Sequence, residues 1–227
     1  MSIELSQHRH QSIPLSAATG ISSMYNFPET KKKLKSRISS YKSSLLKEKK
    51  KFGYVDDGEG KRYLLFPLYF VLNDIEETKD YIKWYEKEFS DDIGEPIQKL
   101  CWALILRRMG NELEAKKMLA ETMLSNLYII PKLLGHEIKE YDIRHSSSDQ
   151  DIGYFSYLPK EVTASITEID TKWLRQEYDS HEFRHIRQRY IEIYHKLKFT
   201  KEVDERERLL SESHSLLDAF SEKAAYP

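Results

Sequence analysis

The chain has 227 residues, of which 40% are hydrophobic and 32% are charged, with 36 Lys and Arg against 37 Asp and Glu. No stretch approaches the roughly 18 consecutive apolar residues of a membrane-spanning helix, and the amino-terminal residues lack the apolar run of a secretory signal. The composition argues against a membrane-spanning protein and predicts a cytoplasmic one. The single cysteine, Cys101, excludes an internal disulfide and a metal site built on paired cysteines, and no cofactor is expected.

Positive charge is concentrated near the amino terminus. Residues 1–52 carry eleven Lys or Arg against three Asp or Glu, a net charge of +8 that leaves −9 for the remainder given the total of −1. Residues 1–26 are predicted to form a flexible tail. A basic helix is predicted from about Pro28 to Lys51, because apolar residues recur there three, four or seven positions apart.

The lysines of residues 31–51 allow two interpretations. They could form a surface for nucleic acid or another anionic partner, since clustered cations attract polyanions. They could instead be the solvated outer face of a helix that docks on an acidic body. The second interpretation is favoured, because Tyr41 belongs to the apolar stripe and no aromatic side chain that could stack on bases lies among the lysines of the basic face.

Two helical hairpins are predicted after a glycine-rich loop at residues 53–60. Their helices are expected at residues 62–72, 75–89, 96–109 and 112–125. Each hairpin turns at a residue suited to the left-handed conformation that ends a helix, Asn73 in the first and Gly110 in the second. These turns are 37 residues apart, and Pro67 is expected to shorten or kink the first helix.

The repeat pattern fades after the second hairpin. Residues 127–134 could begin a third unit, and residues 141–158 are expected to be irregular. Three further helices are predicted at residues 159–178, 180–199 and 203–224. Residues 27–135 therefore form the basic helix and the hairpins, and residues 136–227 form a carboxy-terminal helical extension or cap.

The second hairpin resembles a tetratricopeptide repeat. Small and large residues alternate there in the spacing of that family, at Ala103, Leu106, Gly110, Ala115 and Leu119. The corresponding residues of the first hairpin are Phe66, Tyr69, Asn73, Thr78 and Ile82. The first hairpin thus lacks both small packing residues. The resemblance covers about residues 61–135 and implies an all-α fold, an α-α superhelix of tetratricopeptide-like helical hairpins with a carboxy-terminal helical extension.

The resemblance also implies a non-enzymatic adaptor that binds a peptide or protein in a groove lined by the first helix of each hairpin. The candidate partner-binding residues are Lys61, Arg62, Tyr63, Phe70, Leu100, Leu104, Arg107 and Arg108. Adjacent arginines beside an apolar groove could hold a carboxylate, because the planar guanidinium offers two parallel donors. The other interpretation of these cations is an exposed charge at a helix end.

One motif indicates a different function. The segment His181-Glu182-Phe183-Arg184-His185 matches the zinc-binding pattern H-E-x-x-H, so a zinc-dependent hydrolase is the alternative. The phase of the helix argues against it. An apolar stripe that includes Phe183 and Ile186 must face the core, which directs His181 and His185 to solvent. No metal site is therefore predicted here.

Overall fold

The computed structural model describes residues 27–218 and residue 220, so the predicted tail at residues 1–26 lies outside it. The described residues form ten α-helices and two short 3-10 helices and contain no strand, which confirms the all-α fold. The α-helices are α1 (Lys31–Phe52), α2 (Lys61–Leu72), α3 (Ile75–Glu88), α4 (Pro96–Arg108), α5 (Glu112–Ser125), α6 (Ile129–Leu133), α7 (Lys160–Ser165), α8 (Glu168–Tyr178), α9 (His181–Phe199) and α10 (Val203–Ser215). The 3-10 helices are Ser148–Gln150 and Ile152–Tyr157. No helix in this part of the chain is long and apolar enough to span a bilayer.

Helix α1 lies along α2 and buries one narrow stripe, as its sequence predicts. The side chains of Leu34, Ile38 and Leu45 are buried, whereas most of the lysines are exposed. The helix begins where the Thr30 hydroxyl accepts a hydrogen bond from the backbone N–H of Lys33. The basic helix is thus docked by its apolar stripe, and its charge remains outside.

The first hairpin consists of α2 and α3. Eight of the twelve residues of α2 are buried, and Pro67 lies inside the helix without ending it. The expected shortening at Pro67 is therefore wrong, because the packing of this apolar helix offsets the loss of one backbone hydrogen bond. Between α2 and α3, the Phe66 ring packs edge-on against Tyr81 and Tyr85, with ring centroids 5.2 and 5.1 Å away. These aromatic side chains separate the helices, whose backbones approach closely at only a few points.

The second hairpin consists of α4 and α5, whose backbones run close together along their length. Ala103 and Ala115 are fully buried, and small side chains permit such an approach. Helix α4 is central to the molecule, since ten of its thirteen residues are buried. The second hairpin therefore forms the middle of the hydrophobic core.

The carboxy-terminal region packs against both hairpins. The predicted helix at residues 159–178 is in fact two helices, because Thr167 caps α8 and its hydroxyl accepts a hydrogen bond from the backbone N–H of Asp170. Helix α7 packs on α2, α8 on α6, and α9 on α5. The third predicted unit is reduced to the short helix α6. Of the helix predicted at residues 203–224, α10 accounts for Val203–Ser215, while residue 219 and residues 221–224 lie outside the described residues.

Candidate binding groove

Three of the residues predicted to line a partner groove are inside the core. Leu100 and Leu104 have no exposed surface, and Phe70 is 1% exposed. The prediction that they face a partner is wrong for this structure. The reason is that α5 and α2 pack along α4, ten of whose thirteen residues are buried, so this helix has no open apolar side.

Arg108 does hold a carboxylate, but the carboxylate belongs to its own chain. Its guanidinium donates to Asp170 at 2.6 Å, to the backbone carbonyl of Ser165 at 2.8 Å and to the Asn73 side chain at 3.0 Å. Burial alone would raise the pKa of Asp170, yet the hydrogen bonds from Arg108 and Thr167 lower it below its usual range. Arg108 thus connects the corner of the first hairpin to the carboxy-terminal region.

The neighbouring Arg107 also faces the chain itself. Its guanidinium lies 5.4 Å from the centre of the Trp173 ring, a cation–π contact with helix α8. The two arginines therefore attach α8 to the end of α4. The other interpretation treated these arginines as exposed charges at a helix end, and neither of them is freely exposed.

The polar candidates at the start of α2 belong to an internal network. Arg62 Nε donates to Asp92 at 2.7 Å, and the Tyr63 hydroxyl donates to the other oxygen of the same carboxylate at 2.6 Å. The Asp57 carboxylate accepts the backbone N–H groups of Lys61 and Arg62, both at 2.8 Å, and so caps the helix. Lys61 also pairs with Glu59 at 2.9 Å. These groups fasten two loops to α2 and are already paired.

The H-E-x-x-H motif lies on α9 as its phase predicts. His181 and His185 are exposed, with parallel rings whose centroids are 6.4 Å apart, while Phe183 and Ile186 are buried. Among residues 27–218 and 220, no group of three His, Cys, Asp or Glu side chains is arranged to hold a metal ion. The histidine pair thus has no third ligand there, and the geometry lends no support to the zinc alternative.

A further surface lies beside α1. A groove of about 730 Å³ runs between α1, α2 and α3, and we name it the lysine groove. Its lining residues are Lys35, Ile38, Ser39, Lys42, Ser43, Leu46, Lys47, Lys50, Tyr69 and Glu77. Most of them come from one face of α1, so the groove follows this helix.

The cations of the lysine groove differ in how they are compensated. Lys35 pairs with Asp74 at 2.9 Å and with Glu77 at 3.3 Å at one end. In the described part of the chain, Lys42, Lys47 and Lys50 form no ion pair. Three like charges on one side of a helix repel each other, so the groove carries an uncompensated positive potential.

Besides its lysines, the groove has a buried hydroxyl group and an exposed apolar side chain. Tyr69 lines it, and its buried hydroxyl has no hydrogen-bond partner among the described residues. Burial first, and then the carboxylates of Glu77, Asp74 and Asp80, raise the pKa of Tyr69 above its usual range, so the hydroxyl keeps its proton and can donate. Leu46, in the middle of the lysine row, is 49% exposed.

Sequence reasoning identified the basic helix but not the groove. The lysines recur on the side of α1 that includes Leu46, and this spacing could have indicated that they share one face of the helix. The pairing of each lysine could not be predicted, because it depends on where the acidic residues of α3 lie relative to α1.

No protein-family model matches the chain, and neither a curated protein nor a solved structure matches it. The resemblance to tetratricopeptide repeats therefore remains a prediction that rests on the residues of the two hairpins.

Proposed function

We propose that this protein is an adaptor that acts by binding another polypeptide, and that the lysine groove is its binding face. The observation that carries the proposal is the row formed by Lys42, Lys47 and Lys50. These lysines have no acidic partner in residues 27–218 and 220, and they lie beside the exposed side chain of Leu46. An anionic partner would remove the repulsion among these lysines.

The location is supported by the arginines that the sequence offered as partner-binding residues. Arg62, Arg107 and Arg108 are engaged by groups of the same chain. The face of α4 that the tetratricopeptide resemblance assigned to a ligand is buried. The positive charge that can attract a partner is therefore on α1 and not on the first helices of the hairpins.

A second candidate function is association with nucleic acid. It is favoured by one observation, the exposed aromatic pair at the carboxyl end of α1, where Phe52 is 53% and Tyr54 is 63% exposed. Aromatic side chains next to lysines are a common platform for single-stranded nucleic acid. Loss of binding after nuclease treatment would distinguish this function from polypeptide binding, because contacts between lysines and carboxylates also weaken with salt.

The test is affinity capture with the full-length chain as bait in native lysate of its source cells, with and without nuclease treatment. The groove variant Lys42→Glu/Lys47→Glu/Lys50→Glu should lose the protein captured by the unaltered chain. The control variant Lys31→Glu/Lys32→Glu/Lys33→Glu has the same charge change on the first turn of the same helix, and it should retain that protein.

Circular dichroism and thermal unfolding would establish that both variants remain folded. Equal recovery by the groove variant and the unaltered chain would contradict the proposal. Capture that disappears only after nuclease treatment would favour the second candidate function.

A further inference from the structure

The lysine groove also limits the chemistry of its partner, and this inference rests on the proposed function. From Lys35 to Lys50 the groove follows α1 for about 22 Å at roughly 1.5 Å per residue. That length accommodates about four turns of a helix. It is therefore suited to a segment of polypeptide and is too long for a single small anion.

Apolar and cationic groups are both present along the groove. Leu46 is half exposed between Lys42 and Lys47, and Ser43 and Ser39 add hydroxyl groups one and two turns earlier on the same helix. A helix with acidic residues flanking an apolar stripe could bury a side chain against Leu46 while its carboxylates meet the lysines. This is charge complementarity combined with apolar contact.

The carboxylates of α3 argue against a nucleic acid in the groove. Glu77 lines it, and Asp74 and Asp80 are close enough to raise the pKa of Tyr69 together with Glu77. A nucleic acid carries a phosphate at every nucleotide and would meet these carboxylates with like charge. A peptide can place acidic residues only where the lysines are.

The buried hydroxyl of Tyr69 adds a hydrogen-bond donor beside the groove that is unused among the described residues. An unpaired buried polar atom costs free energy, and it is retained at few places in folded proteins. Here it belongs to a side chain that lines the groove and is only 1% exposed. A neutral acceptor on a ligand, such as a backbone carbonyl or a side-chain amide oxygen, would satisfy it without adding charge beside Glu77.

From these observations we infer that the lysine groove binds an acidic amphipathic helix of a partner protein, with its apolar stripe on Leu46, its carboxylates on Lys42, Lys47 and Lys50, and an acceptor at the Tyr69 hydroxyl. The inference specifies sequence features of the partner. It also predicts that a peptide alone is sufficient for binding.

The test is a display selection of random peptides of about 15 residues against the full-length protein. The enriched peptides should combine Asp or Glu with Leu, Ile or Phe at helical spacing. By fluorescence anisotropy, a selected peptide should bind the groove variant at least roughly tenfold more weakly, and the variant altered at Lys31, Lys32 and Lys33 within about twofold of the unaltered chain. Tyr69→Phe should weaken binding by roughly threefold to tenfold without lowering stability, because it removes a hydroxyl that is unpaired in the free protein.

Several outcomes would overturn the inference. They are enrichment of peptides without acidic residues, equal binding to the groove variant, or tighter binding of a single-stranded oligothymidylate probe. Self-association that light scattering detects and the groove variant abolishes would identify a second copy of this chain as the occupant. If capture from lysate depends on the groove but no acidic peptide is enriched, the adaptor function stands and only the partner chemistry is wrong.

Discussion

The two hairpins have the same corner but different interiors. Asn73 and Gly110 both adopt positive φ, at 55° and 82°, and each ends the first helix of its hairpin. The second hairpin then closes on small residues and is central to the core, whereas the first is held apart by stacked aromatic rings. This difference shows that a recurring corner identifies a unit of helix packing. It does not show which unit binds a partner, because the best match to the repeat is the most buried one.

The largest expected effect concerns the connection between the corner of the first hairpin and the carboxy-terminal region. Arg108→Ala should destabilise the protein by about 3–5 kcal/mol, because it leaves the nearly buried Asp170 carboxylate without its cation. Chemical denaturation would measure this change. The double variant Arg108→Met/Asp170→Asn should cost less, since both charges are removed. A cost below about 1 kcal/mol for Arg108→Ala would contradict the role of this pair.

The junction between the hairpins should make stability depend on pH. Burial raises the pKa of Glu95 from its ordinary value of 4.5 to about 7. The folded state therefore binds more protons than the unfolded state between these two values, and stability contributed by protonated Glu95 is lost as pH rises from about 4.5 to about 7.

The variant Glu95→Gln isolates this contribution. Its free energy of unfolding should fall less than that of the unaltered chain when pH is raised from about 3.5 to about 8, roughly one unit beyond each end of the expected change. Denaturation series at fixed ionic strength would measure both slopes. Parallel pH profiles would show that Glu95 titrates normally.

An exchange of equivalent residues would test the difference between the interiors directly. Ala115→Thr adds volume to the close pair α4 and α5 and should cost about 1–3 kcal/mol. Thr78→Ala, at the equivalent position of the separated pair, adds no volume: it removes a methyl group and a hydroxyl that donates to the Asp74 carbonyl, and it should cost about 1 kcal/mol. Equal costs in thermal or chemical unfolding would show that the two interiors tolerate volume alike.

The smallest expected effect is at the shared corner. Gly110→Ala should cost about 1 kcal/mol through its positive φ alone, since an added Cβ would meet no atom within 4 Å. Asn73→Gly relieves the same backbone strain but removes the acceptor of Arg108, so its net change should be smaller. Unfolding midpoints of the two variants would decide the comparison. A stabilising Gly110→Ala would contradict the assigned corner.

Local patterns in the sequence predicted most helices and the corners. The apolar stripe of α9 and the positive φ of Asn73 follow from a few neighbouring residues, and both are found. The candidate site could not be predicted in the same way. Whether Arg108 is free depends on Asp170, which is 62 residues away along the chain. Whether Lys42 is free depends on the placement of α3. Distant pairing of charges decides which cations remain without an ion pair, and helical periodicity carries no information about it.

The most direct test of the binding face is lysine acetylation footprinting of the full-length protein, alone and in native lysate. With lysate present, we expect Lys42, Lys47 and Lys50 to become less reactive, while the exposed Lys132 and Lys139, outside the groove, keep their reactivity. Unchanged reactivity of the three groove lysines, or protection confined to other lysines, would contradict the assignment of the lysine groove as the face that binds a partner.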